Sequence, residues 1–282
     1  MIACKPLLTY WRGRKKAGEA DLARCIKLQE EAHREQREKE DAQSRRKVQS
    51  LVRDPECAAA PAAAASAVQR PTDVPAQCKL AYDKAHALLG QACCLIFDTE
   101  TNGFGGCVIS PAWILAREDG SELASYESLW SLPQGERFDR VASKKSHKIT
   151  EAQLRRGTDP KPELAELFCL LLAALAGGLC VAAHNASFDV TRLNRSANRH
   201  GLSLPLISSA TMLCTMHNAT KHCGLRCRGT KRRKVPKLKA PKLEELYFFL
   251  FTRKPTGRLH NALVDCKVTL ACYMEGRKRK WW

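Results

Sequence analysis

Two short and fully apolar runs, residues 92–97 and 179–183, each lead directly into a polar cluster. Runs of this length without polar alternation are typical of strands that are buried on both faces of a sheet. Such strands need cover from both sides. The chain is therefore expected to pack helices against the two faces of a sheet.

Helical and strand signals alternate around these two runs. The expected helices cover residues 80–90, 162–176, 187–200, 242–251 and 261–275. The expected strands cover residues 92–97, 108–117, 122–129, 179–183 and 207–215. Asp119-Gly120 favours a hairpin between the second and third strands, and Asn261 is a helix-capping residue. The pattern predicts an α/β domain over residues 81–276, with a mixed sheet covered by helices.

Residues 1–80 differ in composition from the rest of the chain. Residues 18–52 predict a charged helix with i,i+4 ion pairs, and its polar middle favours a solvated helix over a coiled-coil site for a polymerase or other protein partner. Residues 55–75 form an Ala/Pro linker. The chain is therefore divided into an extension (1–80), the α/β domain with a basic insertion at about 217–242, and a basic tail (277–282). Trp281 and Trp282 in this tail are expected to be unanchored.

Charge and composition narrow the function. Lys and Arg number 47 against 29 Asp and Glu, a net charge of +18, which favours a polyanionic partner such as nucleic acid. The longest apolar stretch, residues 167–176, is too short to span a membrane, and no secretory signal is expected. The 14 cysteines are scattered, so they are interpreted as reduced thiols of an intracellular protein. Collagen-like, membrane-spanning and wholly disordered proteins are excluded.

Asp98 and Glu100 follow the first apolar run. Strand alternation places both carboxylates on the same face of the sheet. Two ionised acids side by side repel each other and lose solvation, unless a cation compensates them. The alternative is a solvated strand end that leads into a turn at Asn102-Gly103.

Two further clusters, at residues 184–189 and 260–265, lie where a helix begins. Asp189 and Asp265 would each lie near a helix start, where an acid also favours the positive end of the helix dipole. His260 precedes its helix, and a loop histidine beside a fixed carboxylate suits a general base next to a metal ligand. The clusters together supply four carboxylates and one histidine. Four hard oxygen ligands fit Mg²⁺ or Mn²⁺ rather than zinc, and two such ions can promote phosphodiester hydrolysis.

The segments FDTETNG (97–103), HNASFD (184–189) and HNALVD (260–265) resemble the three exonuclease motifs of the DEDD superfamily. The His-x4-Asp spacing is similar to its His subclass (DEDDh), which includes the epsilon proofreading subunit of DNA polymerase III, the three-prime repair exonucleases and RNase T. SHKIT (146–150) and PKLEELY (241–247) resemble segments that precede the second and third motifs. The resemblance implies an RNase H-like fold, with a five-stranded mixed sheet flanked by helices.

The resemblance also implies a reaction: metal-dependent 3′→5′ hydrolysis of DNA that releases nucleoside 5′-monophosphates, as in proofreading or repair. Asp98 would bridge two Mg²⁺ or Mn²⁺ ions, Glu100 and Asp265 would hold the ion that activates water, and Asp189 the other. His260 would take the proton from that water. The residues implied to contact the substrate are Thr101, Asn102, Gly103, Phe104, His184, Asn185, Phe188 and Asn261. The alternatives are the same chemistry on RNA and a non-catalytic nucleic-acid-binding module.

Residues 226–242 contain nine Lys and Arg and no acid. The stretch KRRKVPK (231–237) resembles a nuclear import signal, which predicts a nuclear location, with the cytoplasm as the alternative. Equally, the cations can hold the substrate backbone. The residues expected to do so are Lys231, Arg232, Arg233 and Lys234. A structural zinc is the less favoured interpretation of a nearby group with irregular spacing, formed by His217, His222, Cys223 and Cys227.

Overall fold

The structure is a computed structural model that describes residues 70–71, 73–226 and 238–282. The predicted helix over 18–52, most of the Ala/Pro linker and the cations at 231–234 lie outside the described residues.

Five strands form a single mixed sheet in the order β3-β2-β1-β4-β5. The strands are β1 (Cys94–Thr101), β2 (Val108–Ala116), β3 (Glu122–Glu127), β4 (Cys180–Ala183) and β5 (Leu213–Cys214). β1, β2 and β3 pair antiparallel in succession, whereas β4 is parallel to both β1 and β5. This confirms the predicted α/β architecture of the RNase H-like type, including the hairpin between β2 and β3.

Helices cover both faces of the sheet. They are α1 (Ala76–Leu88), α2 (Arg140–Lys145), α3 (Glu151–Leu154), α4 (Pro160–Ala176), α5 (Ala186–Arg199), α6 (Thr215–Cys223), α7 (Leu243–Phe251) and α8 (Ala262–Lys278). α4 begins two residues before the predicted start, because Asp159 caps it by accepting a hydrogen bond from the Lys161 N–H at 3.1 Å.

Alternation along β1 divides the core into two layers. Leu95 and Phe97 point towards α1, α4 and α5, whereas Cys94 and Ile96 point towards α8. Asp98 and Glu100 continue the second series, so the strand's own period aims both carboxylates at the α8 side. The fold therefore places these acids on the same side of the sheet as Asp265, which α8 carries.

The predicted strand over 207–215 is wrong for most of its length. Only Leu213 and Cys214 pair with β4, and residues 209–211 form a 3-10 turn. The Asn194 amide explains the difference, because it donates to the Ile207 carbonyl at 2.9 Å and accepts from the Ile207 N–H at 3.1 Å. Both backbone groups of Ile207 are thereby satisfied by a side chain instead of a neighbouring strand.

The expectation of an unanchored C-terminal tail is also wrong. The Trp281 ring stacks on His222 with ring centroids 4.5 Å apart, and Trp282 stacks on Tyr273 at 6.2 Å. Gly276 makes room for Trp282, since a β-carbon there would lie 2.0 Å from the indole. The final residues therefore belong to the packed domain.

Candidate active site

The three polar clusters meet at one edge of the sheet. β1 and β4 are parallel, so the end of β1 and the loop after β4 lie side by side. α5 carries Asp189 in its first turn, and α8 carries Asp265 in its first turn. The carboxylates of these two helices converge on Asp98 and Glu100, which β1 supplies.

Asp189 is fixed by the residue between the two acids of β1. Its Oδ1 accepts hydrogen bonds from the Thr99 N–H at 3.1 Å and from the Thr99 hydroxyl at 2.8 Å. Asp189 is 2% exposed, so this orientation is set inside the protein rather than by solvent. Both donors use Oδ1, which leaves Oδ2 free of them and available to a ligand.

Asp265 is held from one side and unpartnered on the other. Its Oδ2 accepts a hydrogen bond from the His260 N–H at 3.1 Å, whereas its Oδ1 is buried without a hydrogen-bond partner. Ligand atoms of Glu100, His260 and Asp265 all lie within 4.8 Å of one another. A buried carboxylate oxygen without a hydrogen-bond partner, among such neighbours, fits the ligand set of a divalent cation.

His260 lies in a strained backbone conformation. Its φ of 67° falls in the left-handed region, which costs a residue other than glycine about 1–2 kcal/mol. The hydrogen bond from its N–H to Asp265 stabilises this turn. The imidazole is exposed at the mouth of the site, unlike the three buried carboxylates Glu100, Asp189 and Asp265.

Burial raises the pKa values of all four acids, and the charge of neighbouring acids adds to this for Asp98, Glu100 and Asp189. Burial, then the charge of Asp265 and Asp189, raises the pKa of Glu100 to about 8. Burial and the neighbouring acids raise the pKa of Asp98 well above its usual value. The pKa values of Asp189 and Asp265 are also raised by burial, although hydrogen bonds from Thr99 and His260 oppose the change. Divalent cations would remove this repulsion, so the donor set fits Mg²⁺ or Mn²⁺.

A cleft of about 290 Å³ opens over these residues. Its lining contains all five predicted catalytic residues and five of the predicted substrate contacts: Thr101, Gly103, Phe104, His184 and Phe188. Asn102, Asn185 and Asn261 are not part of this lining.

The side chains of Asn102 and Asn261 form hydrogen bonds with other groups of the protein. The Asn102 amide donates to Glu136 Oε1 at 2.8 Å, and its Oδ1 accepts from the Asp139 N–H at 2.8 Å. Asn261 caps α8 by accepting from the Val264 N–H at 3.0 Å, and it donates to Glu127 Oε1 at 2.6 Å. Asn185 begins α5 in the left-handed conformation, at a φ of 71°. Their predicted contact with the substrate stays a prediction.

His184 links the cleft to the end of the basic insertion. Its Nδ1 lies 3.0 Å from the Thr215 hydroxyl, and its Nε2 lies 3.2 Å from the Pro241 carbonyl oxygen. Burial lowers its pKa to about 4, so the ring is neutral at physiological pH. The ring therefore positions neighbouring backbone and is not a source of positive charge.

Sequence reasoning missed three residues of the site. His147 lines the cleft, with Nδ1 accepting from the Ile149 N–H at 3.0 Å and Nε2 buried without a partner. The SHKIT segment was the signal that could have identified it. Glu127, an acid that contributes to the raised pKa of Glu100, and Arg192, which contacts Phe104 and Phe188, had no sequence signal.

The described part of the chain does not support the zinc interpretation. Among the described residues, Glu100, His260 and Asp265 are the one group of three ligands within reach of a common ion. His217, His222 and Cys223 do not form such a group, and Cys227 lies outside the described ranges. Cys214 and Cys223, which lie near this group, are free thiols. None of the helices described here is long and apolar enough to cross a membrane.

The fold and the site together define a nuclease class: an RNase H-like sheet whose edge gathers four acids and a histidine. The sequence profile of the RNase T exonuclease family matches residues 95–273, and the chain belongs to this family of exonucleases. The match contains all three motifs. It confirms the resemblance drawn from them and the prediction that the chain is an exonuclease. No curated protein matches the chain.

Solved structures show the same fold at low sequence identity. S. pombe Pop2p, in a form with Mg²⁺ and Mn²⁺ bound, is 12% identical with a TM-score of 0.52, over 72% of this chain and 90% of that one. The nuclease domain of 3′hExo, a DEDDh member bound to rAMP, is 15% identical with a TM-score of 0.50, over 66% and 92%. E. coli exonuclease I bound to single-stranded DNA is 16% identical with a TM-score of 0.51, over 67% of this chain but 41% of that one.

Proposed function

We propose that this exonuclease hydrolyses DNA from its 3′ end by a two-metal mechanism and releases nucleoside 5′-monophosphates. The observation that carries the proposal is the convergence of Asp98, Glu100, Asp189, Asp265 and His260 in one cleft. Each comes from a motif inside the range that matches the exonuclease family.

Four carboxylates would hold the metal ions. Asp98 would contact both ions, Glu100 and Asp265 the ion beside His260, and Asp189 the other. When bound, Mg²⁺ or Mn²⁺ lowers the pKa of a coordinated water and stabilises the charge that develops on the phosphate. The unpartnered Asp265 Oδ1 and the raised pKa of Glu100 support such an occupant.

His260 would act as the general base. Its ring lies at the exposed mouth of the cleft, where it can take a proton from the attacking water and pass it to solvent. The bond from its N–H to Asp265 ties the base to a metal ligand. Thr99 would keep Asp189 oriented through both of its hydrogen bonds.

Phe104 would receive the terminal nucleotide. It lines the cleft and is 84% exposed, which is unusual for an aromatic side chain beside a buried charge cluster. Stacking of a base on such a ring contributes about 1–3 kcal/mol. Thr101, Gly103 and Phe188 line the same cleft and would shape the space around the sugar and base.

Cations outside the catalytic cleft would bind the same substrate. We propose that Lys231, Arg232, Arg233 and Lys234 contact its phosphate backbone, and that KRRKVPK also directs nuclear import. A polymerase or other protein partner would contact the helix predicted over residues 18–52, which is the less favoured interpretation of that helix; repair or proofreading would then be the setting. These proposals depend on the sequence, because residues 18–52 and 231–237 lie outside the described residues.

A paired assay tests whether the substrate is DNA or RNA. Matched DNA and RNA oligonucleotides, single- and double-stranded, are incubated with the full chain and Mg²⁺ or Mn²⁺, with EDTA controls. The proposal expects faster release of mononucleotides from DNA and none in EDTA. Faster release from RNA would favour the exoribonuclease alternative. Both outcomes are open, because the similar structures include 3′hExo bound to rAMP and exonuclease I bound to single-stranded DNA.

A further inference from the structure

Arg192 is a buried cation without an anionic partner in the described ranges. It lies on α5, one helical turn after Phe188, and is 8% exposed. Its Nε is buried and has no hydrogen-bond partner. Burial and the nearby Arg195 lower its pKa, whereas an adjacent acid would raise it. Buried charges in proteins are usually paired, so the position of Arg192 calls for another explanation.

The contacts of its guanidinium are two aromatic rings. The Arg192 Cζ lies 5.2 Å from the ring centroid of Phe104 and 5.0 Å from that of Phe188. The rings themselves are 6.2 Å apart and tilted by 41°. All three side chains therefore form one cluster at the cleft, held by cation–π and aromatic contacts.

Arg192 contacts the ring of Phe104, whereas the hydrogen bonds of the loop hold only its backbone: the Asn102 N–H donates to the Cys107 carbonyl at 2.9 Å, and the Gly106 N–H to the Gly103 carbonyl at 3.2 Å. Asn102 anchors the start of the loop to the segment around Glu136. Phe104 itself is exposed, and Gly105 after it has nothing within 4 Å of the place where a β-carbon would lie. An exposed ring beside a glycine would sample many orientations. Arg192 reaches this ring from a rigid helix.

We propose that Arg192 is the positioning residue that fixes Phe104 at the cleft entrance as a preformed stacking surface for the 3′-terminal base. The inference rests on the proposed function, since it concerns the substrate of the same site. Arg192 acts through Phe104 rather than on the phosphate, because its guanidinium lies against the two rings and Arg192 is not part of the cleft lining.

The test compares Arg192→Leu with Phe104→Ala, with the double variant and with Arg195→Leu. The last is a matched control, since it removes the same charge from the same helix without a contact to either ring. Each full-length protein is assayed with two single-stranded DNA oligonucleotides that differ only in the 3′-terminal nucleotide, which is normal or abasic. Binding to both is also measured by fluorescence anisotropy in EDTA, and thermal unfolding is followed.

Arg192→Leu is expected to raise KM for the normal end by about fivefold to thirtyfold, with kcat changed less than about twofold. Phe104→Ala should have a similar effect, and the double variant should add little to it. On the abasic end, the variants and the unchanged protein should behave alike.

Three results would overturn the inference: an effect no larger than that of Arg195→Leu, an equal loss on the abasic end, or additive effects in the double variant. An equal loss on the abasic end would point to a direct phosphate contact. The binding arm separates this inference from the proposed function. If the unchanged protein binds the normal end more tightly than the abasic end, and Arg192→Leu abolishes that difference, the inference holds even without hydrolysis.

Discussion

His260 combines exposure, backbone strain and a hydrogen bond to a buried acid. We predict that His260→Ala slows hydrolysis by about 10²–10⁴-fold, because the attacking water loses its base. Nucleic-acid binding should persist, since the carboxylates remain. Single-turnover release of mononucleotide measures the first effect and anisotropy the second. His217→Ala is the control, as that histidine is exposed and outside the cleft lining. Unchanged release in His260→Ala would contradict the assigned role.

The raised pKa of Glu100 predicts how stability responds to pH in the absence of metal. An unfolded glutamate has lost its proton by about pH 6, whereas Glu100 in the folded chain, with a pKa of about 8, keeps it. The folded state therefore binds more protons, and stability should fall as pH rises from about 6.5 to 8.5, by up to about 1.4 kcal/mol per pH unit for each proton involved.

Urea unfolding in EDTA measures this loss. Adding Mg²⁺ or Mn²⁺ should offset it, because ions that bind the ionised acids favour the folded state. Glu100→Gln should flatten the pH dependence. A free energy of unfolding that is constant or rises over this pH range in EDTA would contradict the raised pKa of Glu100.

The sequence could predict which face and which helix starts carry the acids because their placement is local, whereas their roles in metal binding and catalysis stay predictions. Alternation along one strand fixes the common face of Asp98 and Glu100, and a helix start fixes Asp189 and Asp265. It could not show that Thr99 donates twice to Asp189, since these residues are 90 positions apart. Contacts of that kind depend on how two elements pack, which no spacing within a motif encodes.

At the scale of elements, the start of α8 determines where His260 lies. Asn261 caps this helix and also bonds to Glu127 at the end of β3. We predict that Asn261→Ala lowers the free energy of unfolding by about 0.5–2 kcal/mol, through loss of the cap, and also slows hydrolysis as the turn at His260 loosens. Glu127→Gln is the matched comparison, because glutamine still offers an oxygen to the Asn261 amide. Urea unfolding and kcat are measured for both.

A weaker effect of Asn261→Ala than of Glu127→Gln would contradict this account of α8.

The element scale is also where sequence reasoning failed. The apolar pattern over 207–215 resembles a strand, yet Asn194 on α5 satisfies the backbone of Ile207 and leaves β5 only two residues long. A side chain from another element thus overrode a correct local preference.

At the scale of the whole molecule, the excess positive charge is concentrated in a few segments of the sequence. Residues 226–242 contain nine cations, and residues 277–280 contain four. We predict that replacing Lys231, Arg232, Arg233 and Lys234 with Gln leaves kcat unchanged but weakens binding. The slope of log K against log salt should become shallower by about 0.7 for each single-strand phosphate that the protein no longer neutralises. Titrations at several salt concentrations measure it.

A matched variant in the tail, Lys278→Gln with Lys280→Gln, shows whether the effect comes from phosphate contacts of residues 231–234 or from the net charge of the protein. Equal changes in slope per cation in both variants would contradict a specific role for residues 231–234. The sequence located these cations, and it also predicted the order of the five strands and of the helices α1, α4, α5, α7 and α8, but not α2, α3 or α6. It did not predict that the final two tryptophans pack, because the space made by Gly276 on α8 becomes evident only in the folded chain.

The central claim is that the acid cluster removes nucleotides from a 3′ end. Its most direct test is the product of a single-stranded DNA labelled at the 5′ end, incubated with Mg²⁺ or Mn²⁺ and either the unchanged chain, Asp98→Asn or Asp119→Asn. Asp119 is an exposed hairpin residue and serves as the control. The account predicts a ladder that shortens one nucleotide at a time, with 5′-monophosphate products, for the unchanged chain and Asp119→Asn but not for Asp98→Asn. Normal shortening by Asp98→Asn, or immediate release of the 5′ label, would contradict it.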